Sequence, residues 1–78
     1  MAVIKSFKSG QRDRIVLHPT QVVATVYSQE TDGRRILQID THGSDHRDIP
    51  DKVSQTIQLD ETSALELFNI LKKDFGLQ

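Results

Sequence analysis

Cysteine and tryptophan are absent from this 78-residue chain, which holds only two prolines, four glycines, one tyrosine and three phenylalanines. Without cysteine there is no disulfide staple and no thiolate metal site. The four glycines are scattered, so no phosphate-cradling loop forms, and no Gly-x-Ser-x-Gly elbow is present to carry a nucleophile. No stretch approaches the ~20 apolar residues of a membrane-spanning helix. Lys5, Ser6, Lys8 and Ser9 interrupt the N-terminal segment too often for a secretory signal, so the expected location is cytoplasmic. These absences leave a small non-catalytic binding module, without cofactor or metal, as the expected class of function.

Net charge is −1, which lacks the basic excess of a protein that clamps many phosphates. The charges are unevenly placed. Lys5, Lys8, Arg12 and Arg14 face only Asp13 across residues 1–20, a balance of +3, whereas residues 40–61 carry −4. A single domain over residues 1–78 is expected, with the first ten residues a candidate flexible stretch. A chain this short buries only roughly 60% of its unfolded surface. With no covalent staple, self-association is the remaining common remedy, and a homodimer is expected.

The C-terminal pattern is helical. Asp60 is an N-cap residue, Glu61 complements the helix dipole, and Ala64, Leu67, Phe68, Leu71 and Phe75 fall on one stripe, widened by Leu65 and Ile70. Lys72 and Lys73 in the last turn, with Gly76 beyond it, place the helix at 61–75. Val53 to Leu59 alternates with period two and reads as a strand. Val22 to Ser28 and Arg35 to Thr41 read as a hairpin around Asp32-Gly33, with Leu37 and Ile39 inward and Gln38 and Asp40 outward. Ile36 breaks that alternation and is expected under the N-terminal segment. Val3 to Phe7 and Ile15 to Leu17 are candidate short strands. The fold class is therefore α+β: an antiparallel sheet of four or five strands with one C-terminal helix across one face, its stripe docked on Leu37, Ile39, Ile57 and Leu59.

Two constellations stand out. His42, Asp45 and His46 lie in the polar segment 40–48, and imidazole with carboxylate suits zinc or manganese. The segment is superficially similar to the His-x-His-x-Asp-His motif of metallo-β-lactamase-like hydrolases, but His42 stands three residues before Asp45 and the spacing fails. A solvated loop, rich in turn-forming Gly, Ser and Asp, accounts for it. The outward sheet face is the second constellation. Gln38, Ser54, Thr56 and Gln58, with Tyr27 as the one stacking candidate and Arg34, Arg35, Arg47 and Lys52 at the loop ends, suit contacts to a nucleic-acid strand. The register of the neighbouring strand decides whether Thr25 and Tyr27 or Ala24 and Val26 share that face. The alternative is a protein-interaction or regulatory module, an inhibitor or accessory subunit, using the acidic loop 40–51 and a sheet edge.

From His18 to Leu77 the chain resembles a group of small bacterial proteins without an assigned activity. His18-Pro19-Thr20, Leu37-Gln38-Ile39-Asp40-Thr41, Gly43-Ser44-Asp45, Ile49-Pro50, Lys52, Ser54-Gln55 and Ile57-Gln58-Leu59-Asp60-Glu61 carry that likeness. Lys52, Ile57 and Leu59, followed by a helix bearing Leu67 and Leu71, also resemble the last strand and helix of the PC4 transcriptional coactivator-like family. That resemblance implies a four-strand-and-helix fold, dimerisation, and single-stranded DNA binding on the sheet in connection with transcription. The chain departs from the family in its few strand-borne aromatics and its balanced charge.

Overall fold

The computed structural model describes residues 1–43 and 52–78. Four strands and one helix follow in the order β1 (Ala2–Ile4), β2 (Ala24–Thr31), β3 (Arg34–His42), β4 (Val53–Leu59) and α1 (Glu61–Phe75). They form one sheet in the order β1-β4-β3-β2, with α1 lying against β3 and β4. The fold is α+β as the patterning predicts, but the sheet is mixed. β2, β3 and β4 are antiparallel neighbours, whereas β1 runs parallel to β4 through Ala2↔Ile57, Val3↔Gln58 and Ile4↔Leu59. The connection from residue 5 to residue 23 carries the chain from β1 at one edge of the sheet to β2 at the other. It holds no strand, so Ile15 to Leu17 remain outside the sheet, exposed.

Asp32 and Gly33 both take positive φ, 52° and 76°, as the mirror-image turn of a two-residue hairpin requires. Thr31 therefore pairs with Arg34, and both strands run to the turn itself, longer than their apolar patterning suggests. Directly opposed residues share a face. Leu37, Leu59 and Ser28 fall on one side, with Ile39, Ile57 and Val26. Gln38, Gln58 and Tyr27 fall on the other, with Asp40, Thr56 and Thr25. At the far end of β3, Thr41 pairs with Gln55 but His42 pairs with Val53, so Ser54 is the extra residue of a bulge. The Gly43 amide then donates to the Lys52 carbonyl at 3.0 Å and brings residues 43 and 52 together.

The helix begins as its sequence dictates. The Ser63 amide donates to Asp60 Oδ1 at 2.9 Å while the Asp60 amide donates to Ser63 Oγ at 3.1 Å, a reciprocal cap that satisfies two otherwise orphaned donors. At the other end Gly76 turns left-handed, and the Leu77 amide donates to the Lys72 carbonyl at 3.0 Å.

The side of the helix facing the sheet matches the expected stripe only in part, through Ala64, Leu67 and Ile70. Ser63 is fully buried, and Leu67 and Ile70 are half-buried, as is Glu66, whose Oε1 is shielded and without a partner among the described residues. Phe68 (52% exposed) and Phe75 (72%) point away, with Leu65 and Leu71 also exposed. At about 100° per residue, the seated line through Ser63, Leu67 and Ile70 lies roughly a quarter turn from the apolar stripe. The expectation that Phe68, Leu71 and Phe75 dock on the strands is therefore wrong for the single chain. The physical reason lies at the helix start: the tight cap at Asp60 follows β4 directly and turns Ser63 inward.

Candidate functional site

The face of the sheet opposite the helix is a hydrogen-bonded polar ladder. Gln58 Nε2 donates to Gln38 Oε1 at 2.8 Å across the β3–β4 pair. Gln38 Nε2 donates in turn to Asp40 Oδ1 at 3.1 Å, and Thr56 Oγ1 donates to the same oxygen at 2.8 Å. Asp40, only 7% exposed, thus stands at the head of the ladder and fixes the direction of each amide. A carboxylate only accepts, so its neighbours must present their donors to it, and Gln38 must offer its oxygen to Gln58. Among the described residues, each glutamine amide keeps one N–H, and Gln58 keeps its carbonyl oxygen. Beyond Asp40, Thr25 Oγ1 lies 2.7 Å from His42 Nε2, which extends the polar row onto β2.

Beside the ladder lies an open concavity of about 370 Å³, lined by Tyr27, Gln29, Thr31, Ile36, Gln38, Asp40 and Gln58. Tyr27, 51% exposed, forms one wall opposite Gln38. Ile36 supplies an apolar floor to this concavity instead of lying under the N-terminal segment, because β1 sits at the far edge of the sheet, beyond β4.

Tyr27, Gln38, Thr56 and Gln58 therefore come together as the patterning predicts, and the register selects Thr25 and Tyr27 over Ala24 and Val26. Arg34 lies on the same face by alternation, beside the turn. Arg35 lies on the other face, where Nη1 donates to Ser28 Oγ at 3.3 Å, and does not join the group. Ser54 is exposed at the bulge, out of register with Thr56 and Gln58, and Lys52 is exposed just ahead of β4. Arg47, Asp45, His46 and most of the acidic loop lie outside the described residues, and the metal reading of that loop lies there with them. Among the described residues no group of three or more histidines, aspartates or glutamates gathers as metal ligands. Gln29 and Thr31 went unread from the sequence; alternation from Tyr27 places them on this face.

A second polar feature stands at the hairpin end. Lys5 Nζ contacts Asp60 Oδ2 at 2.7 Å, tying the end of β1 to the helix cap. The Lys5 ammonium and the Ser63 amide hold the Asp60 carboxyl down at about 2. Lys5, Arg34, Arg35, Asp60 and Glu61 border a shallow depression in which cations and anions are mixed, so it presents no single sign to a ligand.

Among the described residues no helix is long and apolar enough to cross a membrane. Comparison with protein-family models, curated proteins and solved structures gives no match.

Proposed function

We propose that the protein is a small non-catalytic module that binds single-stranded nucleic acid, best fitted by single-stranded DNA, across the Tyr27–Gln38–Gln58 face of its sheet. The observation that carries this reading is the juxtaposition of one half-exposed aromatic ring with a row of oriented amides along an open concavity. A base stacks on Tyr27, and neighbouring base edges meet the remaining amide N–H groups and the Gln58 carbonyl. Asp40 takes no phosphate. Nearly buried and twice hydrogen-bonded, it organises the ladder from behind. The strand's phosphates run along the rim, past Arg34 and Lys52.

This arrangement sets magnitudes. With two rim cations, and a slope of about −0.7 per phosphate for single strands, affinity should fall with a log–log salt slope near −1.4. Binding is therefore modest, and it rests on stacking as much as on charge. Tyr27 is the only tyrosine in a chain without tryptophan, so intrinsic fluorescence reports this face alone. Titration with a fifteen-residue oligothymidylate at low salt should quench that emission. Tyr27→Ala should weaken binding by roughly ten- to a hundredfold, measured by anisotropy of a labelled strand, since one stacked base is worth about 1–3 kcal/mol. Absence of binding at 20 mM salt would end this proposal. The reading that then takes its place is a cytoplasmic protein-interaction module. It is favoured by the open outer edge of β2, where a partner strand can pair beside the exposed Val22, Val23 and Val26.

A further inference from the structure

The carboxylate of Asp40 is only half satisfied by its neighbours. The residue is 7% exposed, yet both of its side-chain hydrogen bonds, from Gln38 Nε2 and Thr56 Oγ1, converge on Oδ1. None of the described residues donates to Oδ2. No lysine or arginine among the described residues pairs with Asp40 either. A carboxylate so far withdrawn from water, met only by neutral donors, is costly to hold unless another donor reaches its second oxygen. Asp40 also lines the concavity beside Tyr27, as does Gln38. Register fixes their spacing. Tyr27 stands directly opposite Gln38, and Asp40 follows Gln38 by two residues on the same strand and face. The second amide N–H of Gln38 finds no acceptor among the described residues. An aromatic wall, an N–H donor and an anionic acceptor therefore meet around one space.

We infer that this space selects nucleobases carrying an exocyclic amino group beside an acceptor ring nitrogen, cytosine and adenine, over thymine. The inference rests on the single-strand reading above and adds a preference that stacking alone does not supply. With its ring against Tyr27, such a base donates an amino N–H to Asp40 Oδ2 and accepts the free Gln38 N–H at its ring nitrogen. Accepting the cytosine amino group is the ordinary use of a carboxylate in base readout. A carboxylate can only accept, and Asp40 also fixes which way the Gln38 amide points. The polarity of the site is thus set, acceptor at Asp40 and donor at Gln38, and turning the amide over does not reverse it. Thymine presents the opposite order, a carbonyl in place of the amino group and an N–H in place of the accepting nitrogen. Sliding it until its N3–H meets Oδ2 sets a second carbonyl against the carboxylate. Thymine keeps the stacking and loses the pairing, so it still binds and serves as the baseline. The concavity, about 370 Å³ and open, admits one ring or two, so hydrogen bonding makes the choice and size does not.

The test compares fifteen-residue strands of 5-methylcytidylate and thymidylate, each bound to the full chain at low salt and neutral pH. The two bases share the ring methyl and the stacking surface, and differ only in the exocyclic group and the ring nitrogen beside it. The 5-methylcytidylate strand should bind about ten times more tightly, the discrimination expected of one well-placed base pairing. Dimethylation of its amino group, which removes both N–H donors, should return affinity to the thymidylate level or below it. Asp40→Asn should cancel or invert the preference. Its oxygen can keep the two ladder bonds while an amide N–H takes the place of Oδ2 and meets the thymine carbonyl. A general loosening of the sheet would weaken all strands alike and would not invert their order. Should Asp40→Asn fail to fold, the wild-type comparison of the three strands decides by itself. Equal wild-type affinity for all three, or a preference for thymidylate, overturns the inference and leaves the single-strand reading standing. A preference that persists unchanged in folded Asp40→Asn overturns it as well. Failure of every strand to quench Tyr27 removes both.

Discussion

Asp60 ends β4, caps α1 and pairs with Lys5 beyond β1, so one carboxylate holds three elements at a single point. Its pKa, lowered from 3.8 to about 2, ties the fold to pH. A carboxyl whose folded pKa is depressed contributes stability above its unfolded value and loses that contribution as pH falls towards the folded one. The protein should therefore lose stability between about pH 4 and pH 2. Urea midpoints collected over that range should show the loss in the wild type. The limb should be much reduced in Asp60→Asn, which keeps a capping oxygen but cannot titrate. Lys5→Met should produce a shallower limb, because removing the ammonium returns the carboxyl towards its ordinary range. An undiminished limb in Asp60→Asn would assign the acid sensitivity elsewhere. The turn residue Gly33 makes a second demand at this scale. Nothing crowds its Cα, so only the left-handed φ of 76° resists a side chain. Gly33→Ala should cost about 1–2 kcal/mol in urea unfolding.

Among the elements, β4 carries the most. It is central in the sheet, pairs with β1 on one side and β3 on the other, and delivers Leu59 to the one buried apolar position among the described residues. Leu59→Ala should cost about 2–5 kcal/mol, at the upper end if the site cannot collapse around the cavity. A cost below about 1 kcal/mol would mean that the helix–sheet seam contributes little and that stability is held elsewhere. The hairpin of β2 and β3 shows how much an element's register depends on its turn. A two-residue Asp-Gly turn pairs residue 31 with 34, and counting outward pairs Tyr27 with Gln38. That count was available in the sequence, and it alone selects the face on which Tyr27 lies. The bulge at Ser54 was not, because nothing in an alternating Ser-Gln-Thr run marks the residue that drops out of step. The helix was legible to the residue at both ends, since caps are local chemistry.

For the molecule as a whole, two faces divide the work. One is polar, internally hydrogen-bonded and open; the other is apolar and only partly covered by the chain's own helix. The sequence by itself determined the helix, its caps, the hairpin turn and the alternation that separates Gln38 and Gln58 from Leu37 and Leu59. Each of these depends on neighbours within a few residues. Only the tertiary structure decided that β1 joins β4 in parallel, that Arg35 leaves the polar face, and that the helix seats Ser63 and Ile70 instead of Phe68 and Phe75. Those outcomes depend on how the elements meet. A stripe of apolar residues records that a helix must be buried, and says nothing of whether its own sheet or another molecule does the burying.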